Sequence, residues 1–318
     1  MNILVLSCGT RNKVMQYFKK ALSNKGMLFA TDCSKLAPAL YEADKFFIVP
    51  RMTDARYIDI ILNICKQHEI DAVFSLIDPE LSLLAKNRER FLEIGTIPVV
   101  SDYDVVEMCF DKVQTMNKLN QLGLNVIKTY TDKEEFYKDI DNGSIQYPVF
   151  VKPRKGSASI NINKVYNKET VEALYSISDD LIIQEFMNGT EYGVDAYIDL
   201  ITGETVSVFI KEKLKMRAGE TDKAVSIHDD ELTKIILKFT NNVKFRGMID
   251  IDVFKTGDKY YISEINPRFG GGYPHAYECG VDETSMLINN ITGTVNPIRV
   301  GEYQEGVYMM KFNEVMIK

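Results

Sequence analysis

Met248-Ile-Asp-Ile-Asp-Val-Phe254 and Tyr260-Tyr-Ile-Ser-Glu-Ile-Asn266 are two β-rich runs joined by Lys255-Thr-Gly-Asp-Lys259. A Thr256-Gly257-Asp258 turn signal between such runs reads as a β-hairpin. Side chains alternate faces along a strand. Asp250 and Asp252 therefore share one face, with Ile249, Ile251 and Val253 on the other. Glu264 and Asn266 share a face as well, with Ile265 opposite. The pairs Asp252/Glu264 and Asp250/Asn266 are each symmetric about Asp258. A regular hairpin would set all four oxygen-bearing side chains in one patch; a bulge would break that register. Facing carboxylates repel by roughly 3 kcal/mol at about 5 Å and an effective dielectric of about 20. Favourable cross-strand pairs return only about 0.2–1 kcal/mol. A proton, a basic partner or a cation must offset the difference, and carboxylate and amide oxygens suit Mg²⁺. A solvated acidic face on an ordinary hairpin explains the same pattern without a metal.

Outward from the hairpin, the chain divides by its periodicity. Ile3–Leu6 is a wholly apolar run ending in Ser7-Cys8-Gly9-Thr10, and Val14, Phe18 and Leu22 follow at helical spacing. Further strands are expected at Met27–Ala30, Phe46–Val49, Ala72–Ile77 and Ile97–Val100, with a helix over Tyr57–Lys66. This alternation predicts a doubly wound parallel sheet over residues 1–100. Beyond a boundary near Ser101 the pattern is α+β. Asp111–Leu122 reads as a helix stopped at Gly123. Strands are expected at Val126–Thr129, Tyr147–Lys152, Leu181–Phe186, Tyr192–Leu200 and Val206–Lys213. Asp229–Asn241 reads as a helix with Leu232, Ile235, Ile236 and Phe239 inward.

Glu264-Ile-Asn-Pro-Arg268 and the following Phe269-Gly-Gly-Gly-Tyr-Pro-His275 resemble the acidic segment of ATP-grasp enzymes, above all the carbamoyl phosphate synthetase-like branch. Asp111-Lys112, Tyr147–Pro153 and Ile182–Glu191 are similar to other pieces of that family in the same order, over roughly residues 101–290. The resemblance implies a Rossmann-like pre-ATP-grasp domain over 1–100. It also implies a two-lobed ATP-grasp domain, with lobes over 101–186 and 187–318. It implies ATP with Mg²⁺, or Mn²⁺ in its place, held by Asp252, Glu264 and Asn266; Asp252 stands where some relatives carry Gln. Asp250 shares their face by periodicity and is placed beside the ligands. Lys112 and Lys152 would contact phosphates, Lys152 also reaching adenine N7. Gln184, Glu185, Phe186 and Met187 would form the adenine segment, and Glu191 would accept from ribose hydroxyls. Arg268 would hold an anionic substrate or acyl phosphate, for which its planar fork is suited.

Two basic segments extend the site. Arg154-Lys-Gly-Ser-Ala-Ser159, with Ser157, can present hydroxyls and backbone N–H groups to phosphate, or be a surface turn. Lys211, Lys213, Lys215 and Arg217 alternate along one strand face. In an acidic chain they suggest an anion, or else a solvated face. Lys211 is taken as a catalytic candidate and Arg217 is rated above its neighbours, because relatives place a phosphate-contacting basic side chain near it.

The resemblance implies activation of a small-molecule carboxylate as an acyl phosphate, then attack by a nucleophile such as an amino acid. A small-molecule kinase and a non-catalytic ATP sensor are the alternatives. The 318 residues fit two or three compact units and one ATP-grasp unit, not the two of a full carbamoyl phosphate synthetase. Net charge −7 argues against a nucleic-acid partner. No run approaches the roughly 20 apolar residues of a membrane span. The five cysteines form no C-x-x-C and are odd in number, which argues against a disulfide framework or a zinc site and fits a cytoplasmic home. A homodimer is the base-rate expectation.

Gly9-Thr10-Arg11 with Asp32 invites a dinucleotide reading, but no G-x-G-x-x-G is present and a tight βα turn is preferred. Asp78 and Glu80 fit either a substrate amine or a helix N-cap. His275 fits catalysis or a structural hydrogen bond. Cys279 reads as packing, and Tyr308–Phe312 as an ordinary strand.

Overall fold

A computed structural model describes residues 1–23, 25–156 and 161–318. The fully buried run Ile3–Leu6 makes β1 (Asn2–Leu6) the centre of the first sheet. α1 (Asn12–Leu22) covers it with Val14, Met15, Tyr17, Phe18 and Leu22. β2 (Met27–Asp32), β3 (Lys45–Ile48), α2 (Tyr57–Gln67), β4 (Ala72–Ser75), α3 (Asp78–Lys86), α4 (Arg88–Glu93) and β5 (Ile97–Pro98) complete the unit. All its pairings are parallel, in the order β3-β2-β1-β4-β5. The chain reverses direction across the sheet between β1 and β4. The carboxyl ends of those two strands are the crevice where such folds bind ligands.

α5 (Tyr103–Phe110) leads to α6 (Lys112–Gln121). The expected helix start at Asp111 is its N-cap, where Oδ1 accepts from Val113 N at 3.0 Å and Gln114 N at 3.2 Å. β6 (Thr129–Tyr130), α7 (Lys133–Asp141), β7 (Val149–Pro153), β8 (Asn163–Val165), α8 (Lys168–Tyr175) and β9 (Leu181–Glu185) build a small sheet in the order β6-β9-β7-β8. The strand expected at Val126–Thr129 starts only at Thr129; Val126 and Ile127 pack inward from a loop.

The third sheet runs β14-β13-β10-β11-β12-β15 and is antiparallel throughout. Its strands are β10 (Thr190–Ile198), β11 (Thr205–Arg217), β12 (Glu220–Ile227), β13 (Gly247–Thr256), β14 (Lys259–Asn266) and β15 (Tyr308–Met310). α9 (Asp230–Asn242) lies on one face, capped by Asp229 and burying Leu232, Ile236 and Phe239; Ile235 sits at the margin rather than inward. α10 (Tyr273–Glu278) and α11 (Glu283–Ile291) follow the acidic hairpin. Their residues share a core with the first sheet. Phe269 meets Phe18 edge-on at 5.7 Å and lies 5.8 Å from Phe74. Those contacts fasten the segment after Arg268 to the first sheet. Among the described residues no helix is long and apolar enough to cross a membrane.

The hairpin register holds for a reason other than the expected one. Thr256 pairs with Lys259 across a two-residue turn with Gly257 at φ 58°. That turn alone would face Asp252 with Ser263. A bulge beside Val253 adds one residue to β14, so Asp252 faces Glu264 and Asp250 faces Asn266. Ser263, the extra residue, donates from Oγ to the Asp252 carbonyl at 3.1 Å.

Candidate active site

The acidic hairpin faces a cleft of about 300 Å³ between the small sheet and the antiparallel one. Lys152 and Gln184 line it from the small sheet; Lys213, Asp252, Glu264 and Asn266 line it from the larger one. An adjoining hollow of about 290 Å³ shares Lys152 and Glu264 and adds Lys112 and Gly156. Ile127, Phe150 and Phe254 add apolar side chains to the lining of the cleft, which also includes Glu185 and Met187.

A basic partner answers the hairpin's charge problem in this structure. Lys213 Nζ lies 2.6 Å from Asp252 Oδ1 and 2.8 Å from Glu191 Oε1. Burial works against the Lys213 charge, yet Asp252 and Glu191 outweigh it and hold the ammonium above its ordinary range. Asp252 is pushed up by burial and by Asp250 and Glu264, with Lys213 opposing. Burial likewise raises Glu264 against Lys112 and Lys152.

Lys152 donates to Gln184 Oε1 at 2.6 Å, and Gln184 Nε2 donates to Thr129 Oγ1 at 2.8 Å. Burial, then Lys112, pulls the Lys152 ammonium down to about 8. Lys112 donates to the Gly156 carbonyl at 2.9 Å and is itself lowered by burial. Two ammonium groups thus sit close together and poorly solvated, an arrangement that a polyanion relieves.

A divalent cation fits the donor set. Among the described residues no three His, Cys, Asp or Glu side chains gather for a metal by themselves. The hairpin offers two carboxylates and the Asn266 amide, whose Nδ2 is turned 3.5 Å from Asp250 Oδ2. Mg²⁺ commonly takes one or two carboxylates and completes its shell with phosphate oxygens and water.

Lys112, Lys152, Gln184, Glu185, Met187, Glu191, Asp252, Glu264, Asn266 and Arg268 are all brought to the cleft or its adjoining hollow. Three predicted residues are not brought there. Phe186 packs against Phe150 at 5.4 Å, under the Lys164 ammonium at 3.6 Å. Arg217 sits at the outer end of β11, 52% exposed, paired with Asp222 at 3.2 Å. Lys211 is 1% exposed and locked to buried Asp195, so it cannot touch a substrate in this arrangement. Ser157 lies outside the described residues.

Arg268 donates to Asp78 at 2.9 Å and approaches Asp250 at 3.5 Å. Asp78 is thereby used in holding an arginine. Neither it nor Glu80 caps α3, whose N-cap is Ile77. Glu80 is buried and takes hydrogen bonds from Ser7, Tyr57 and Ser75; burial raises its carboxyl. His275 Nε2 meets the Val307 carbonyl at 2.8 Å, the structural alternative. Asp32 accepts from Gly9 N at 3.0 Å and Ser34 N at 2.9 Å, which employs it locally.

Sequence reasoning underrated Lys213 and passed over Asp195. A signal for Lys213 existed, because Glu191 and Lys213 fall one step beyond the paired residues Tyr192 and Glu212. A bulge beside Tyr197 shifts that hairpin by one residue and hides the match from simple counting.

Comparison with known proteins agrees with this geometry. The PylC-like N-terminal domain profile matches residues 3–100, and the ATP-grasp domain profile matches residues 109–272, just over half of the chain. The chain is 21% identical to the carbamoyl phosphate synthase large chain of Clostridium acetobutylicum over 292 residues, covering 86% of this chain but 26% of that protein. It is 26% identical to the D-alanine–D-alanine ligase of Bacillus licheniformis, covering 78% of this chain and 72% of that one. The N5-carboxyaminoimidazole synthetase of Staphylococcus aureus, solved with ADP, superposes with a TM-score of 0.76 at 18% identity, over 98% of this chain and 82% of that one. That likeness is one of fold. With the acidic hairpin, the paired lysines and a family match over residues 109–272, this chain belongs to the ATP-grasp family.

Proposed function

We propose that the chain is an ATP- and Mg²⁺-dependent ligase that activates a carboxylate as an acyl phosphate for attack by an amine or other nucleophile. The observation that carries this reading is the Asp252–Glu264–Asn266 face set across one cleft from Lys112 and Lys152. Carboxylates for a metal and ammonium groups for phosphates meet there. The ADP-bound relative of the same fold supports the nucleotide assignment.

In this reading the apolar side chains of the lining, with Glu185 and Met187, take the adenine, and Glu191 accepts from the ribose. Lys152, Lys112 and Lys213 hold the phosphates; Lys213 takes the place expected of Arg217. Mg²⁺, when bound, supplies charge neutralisation on the phosphate oxygens. Arg268 orients the acid so that its oxygen faces the γ-phosphorus. An O–P bond forms, the bond to the β-phosphate bridging oxygen breaks, and ADP leaves. The nucleophile then adds at the acyl carbon, and the C–O bond to phosphate breaks. Positioning and electrostatics provide the acceleration, and no side chain forms a covalent bond. We also propose units of 1–100, 101–186 and 187–318, supported by the change of sheet between β9 and β10.

The test is a screen of carboxylates and amino acids for ATP consumption with Mg²⁺ and with chelator. Acid-dependent ADP that disappears in chelator is expected. AMP with pyrophosphate would exclude acyl phosphate formation.

A further inference from the structure

The end of the cleft beyond Arg268 has a charge arrangement of its own. Arg268 is held by two carboxylates, Asp78 at 2.9 Å and Asp250 at 3.5 Å. Its charge is more than balanced. Arg11 lines the same cleft from the turn after β1. Its Nη1 donates to Glu220 Oε1 at 2.7 Å, and Lys311 Nζ takes Glu220 Oε2 at 2.8 Å. There two cations share one carboxylate. The positive excess is therefore local to the Glu220 carboxylate, with Arg11 and Lys311, and not around Arg268.

Arg11 also keeps donors in reserve. A guanidinium has five N–H groups, and among the described residues only Nη1 of Arg11 makes a hydrogen bond. The guanidinium lies close against the loop after Arg268, where a Cβ on Gly271 would come 3.0 Å from Arg11 Nη1 and 3.0 Å from the Glu220 carboxyl carbon. Its turn stands at the crevice between the carboxyl ends of β1 and β4, where doubly wound sheets place ligands. A partly satisfied fork beside a locally over-neutralised carboxylate in a substrate cleft matches a planar anion.

We propose that Arg11 is a specificity-determining residue that binds a second carboxylate, one not activated by ATP, on a co-substrate of the reaction. This rests on the ligase reading above. That carboxylate belongs either to a dicarboxylic acid or to an amino acid acting as the amine. Both sources present the same chemistry to Arg11.

The experiment compares wild type, Arg11→Met and Glu220→Gln by ADP release. One arm pits succinate and glutarate against butyrate and valerate as acids. The other pits amino acids against their carboxamides as amines, with the acid that works held fixed. Wild type is expected to prefer the carboxylate-bearing member in one arm. Arg11→Met should raise its KM about tenfold or more, leaving the KM for ATP and for the carboxylate-free congener unchanged. Glu220→Gln loses the same ion pair but keeps the guanidinium, so its KM should stay level or fall. If Arg11→Met and Glu220→Gln raise KM alike, or if the congeners respond alike, Arg11 is only a clamp between elements and the proposal is wrong. Acid-dependent ADP with no Arg11 effect overturns this proposal alone. No ADP with any acid overturns the ligase reading as well.

Discussion

Replacing Lys213 with Met keeps the bulk of the side chain and removes its charge. The ammonium lies 2.6 Å from Asp252 and 2.8 Å from Glu191, and its side chain is 3% exposed. Its loss leaves Asp252 facing Glu264 without its cationic partner. That repulsion is about 3 kcal/mol at about 5 Å and a dielectric of about 20. Stranding one partner of a buried pair costs about 3–5 kcal/mol. Asp252 is 25% exposed and can take up a proton, which limits the loss. About 2–3 kcal/mol near neutral pH is expected, or about 3–5 °C in Tm. Protonation also sets the pH dependence. The Asp252 pKa is already raised in the folded state, and losing Lys213 raises it further. Below about 7 both folded proteins hold that proton; above it the folded variant binds more protons than the wild type, so its deficit grows as pH rises from about 7 toward the variant's higher pKa. Mg²⁺ with ADP would supply the missing positive charge. Thermal unfolding of both proteins should therefore show a large deficit in chelator and a much smaller one in saturating Mg²⁺ and ADP. An equal deficit in both solutions, or one below about 0.5 kcal/mol as for a surface pair, would refute the reasoning.

Four further outcomes are expected. Lys152 has a folded pKa lowered to about 8, so ATP affinity measured by calorimetry should weaken above that pH by up to about tenfold per pH unit, and Lys152→Met should abolish the dependence. For stability the sign is opposite: the unfolded chain binds more protons between about 8 and 10.5, so this lysine's unfavourable contribution is relieved as pH rises through that window. Asp252→Asn and Glu264→Gln should each lower kcat at least about 100-fold while the protein stays folded by circular dichroism. Gly270→Ala sets a Cβ 2.5 Å from Asp250 Oδ1 and should cost about 1–3 kcal/mol in urea unfolding. Arg217→Ala should leave the KM for ATP unchanged within about twofold, because the side chain is exposed and paired elsewhere.

Much of this architecture was legible because burial writes a period into the sequence. Ile3–Leu6 could only be a fully buried strand, and Leu232, Ile236 and Phe239 mark the inner stripe of α9. The acidic face was legible too, since alternation alone puts Asp250 with Asp252. Bulges were not. The one beside Val253 happened to restore the pairing that simple symmetry had predicted from a different turn. The one beside Tyr197 concealed the meeting of Glu191 and Lys213. Periodicity also failed to rank the four basic residues of β11. Whether Lys211, Lys213 or Arg217 faces the cleft depends on partners from distant segments: Asp195 claims the first, Asp252 and Glu191 the second, Asp222 the third. The role of Arg11 was equally hidden, because Glu220 and Lys311 reach it from far along the chain.

Acyl phosphate formation is the central claim, and hydroxylamine tests it most directly. With ATP, Mg²⁺ and the acid that stimulates ADP release, but with no amine, hydroxylamine should convert the activated acid to a hydroxamate in step with ADP, and chelator should abolish both. ADP formed beside a phosphorylated product that hydroxylamine does not attack would mean transfer to a hydroxyl, and would contradict the account.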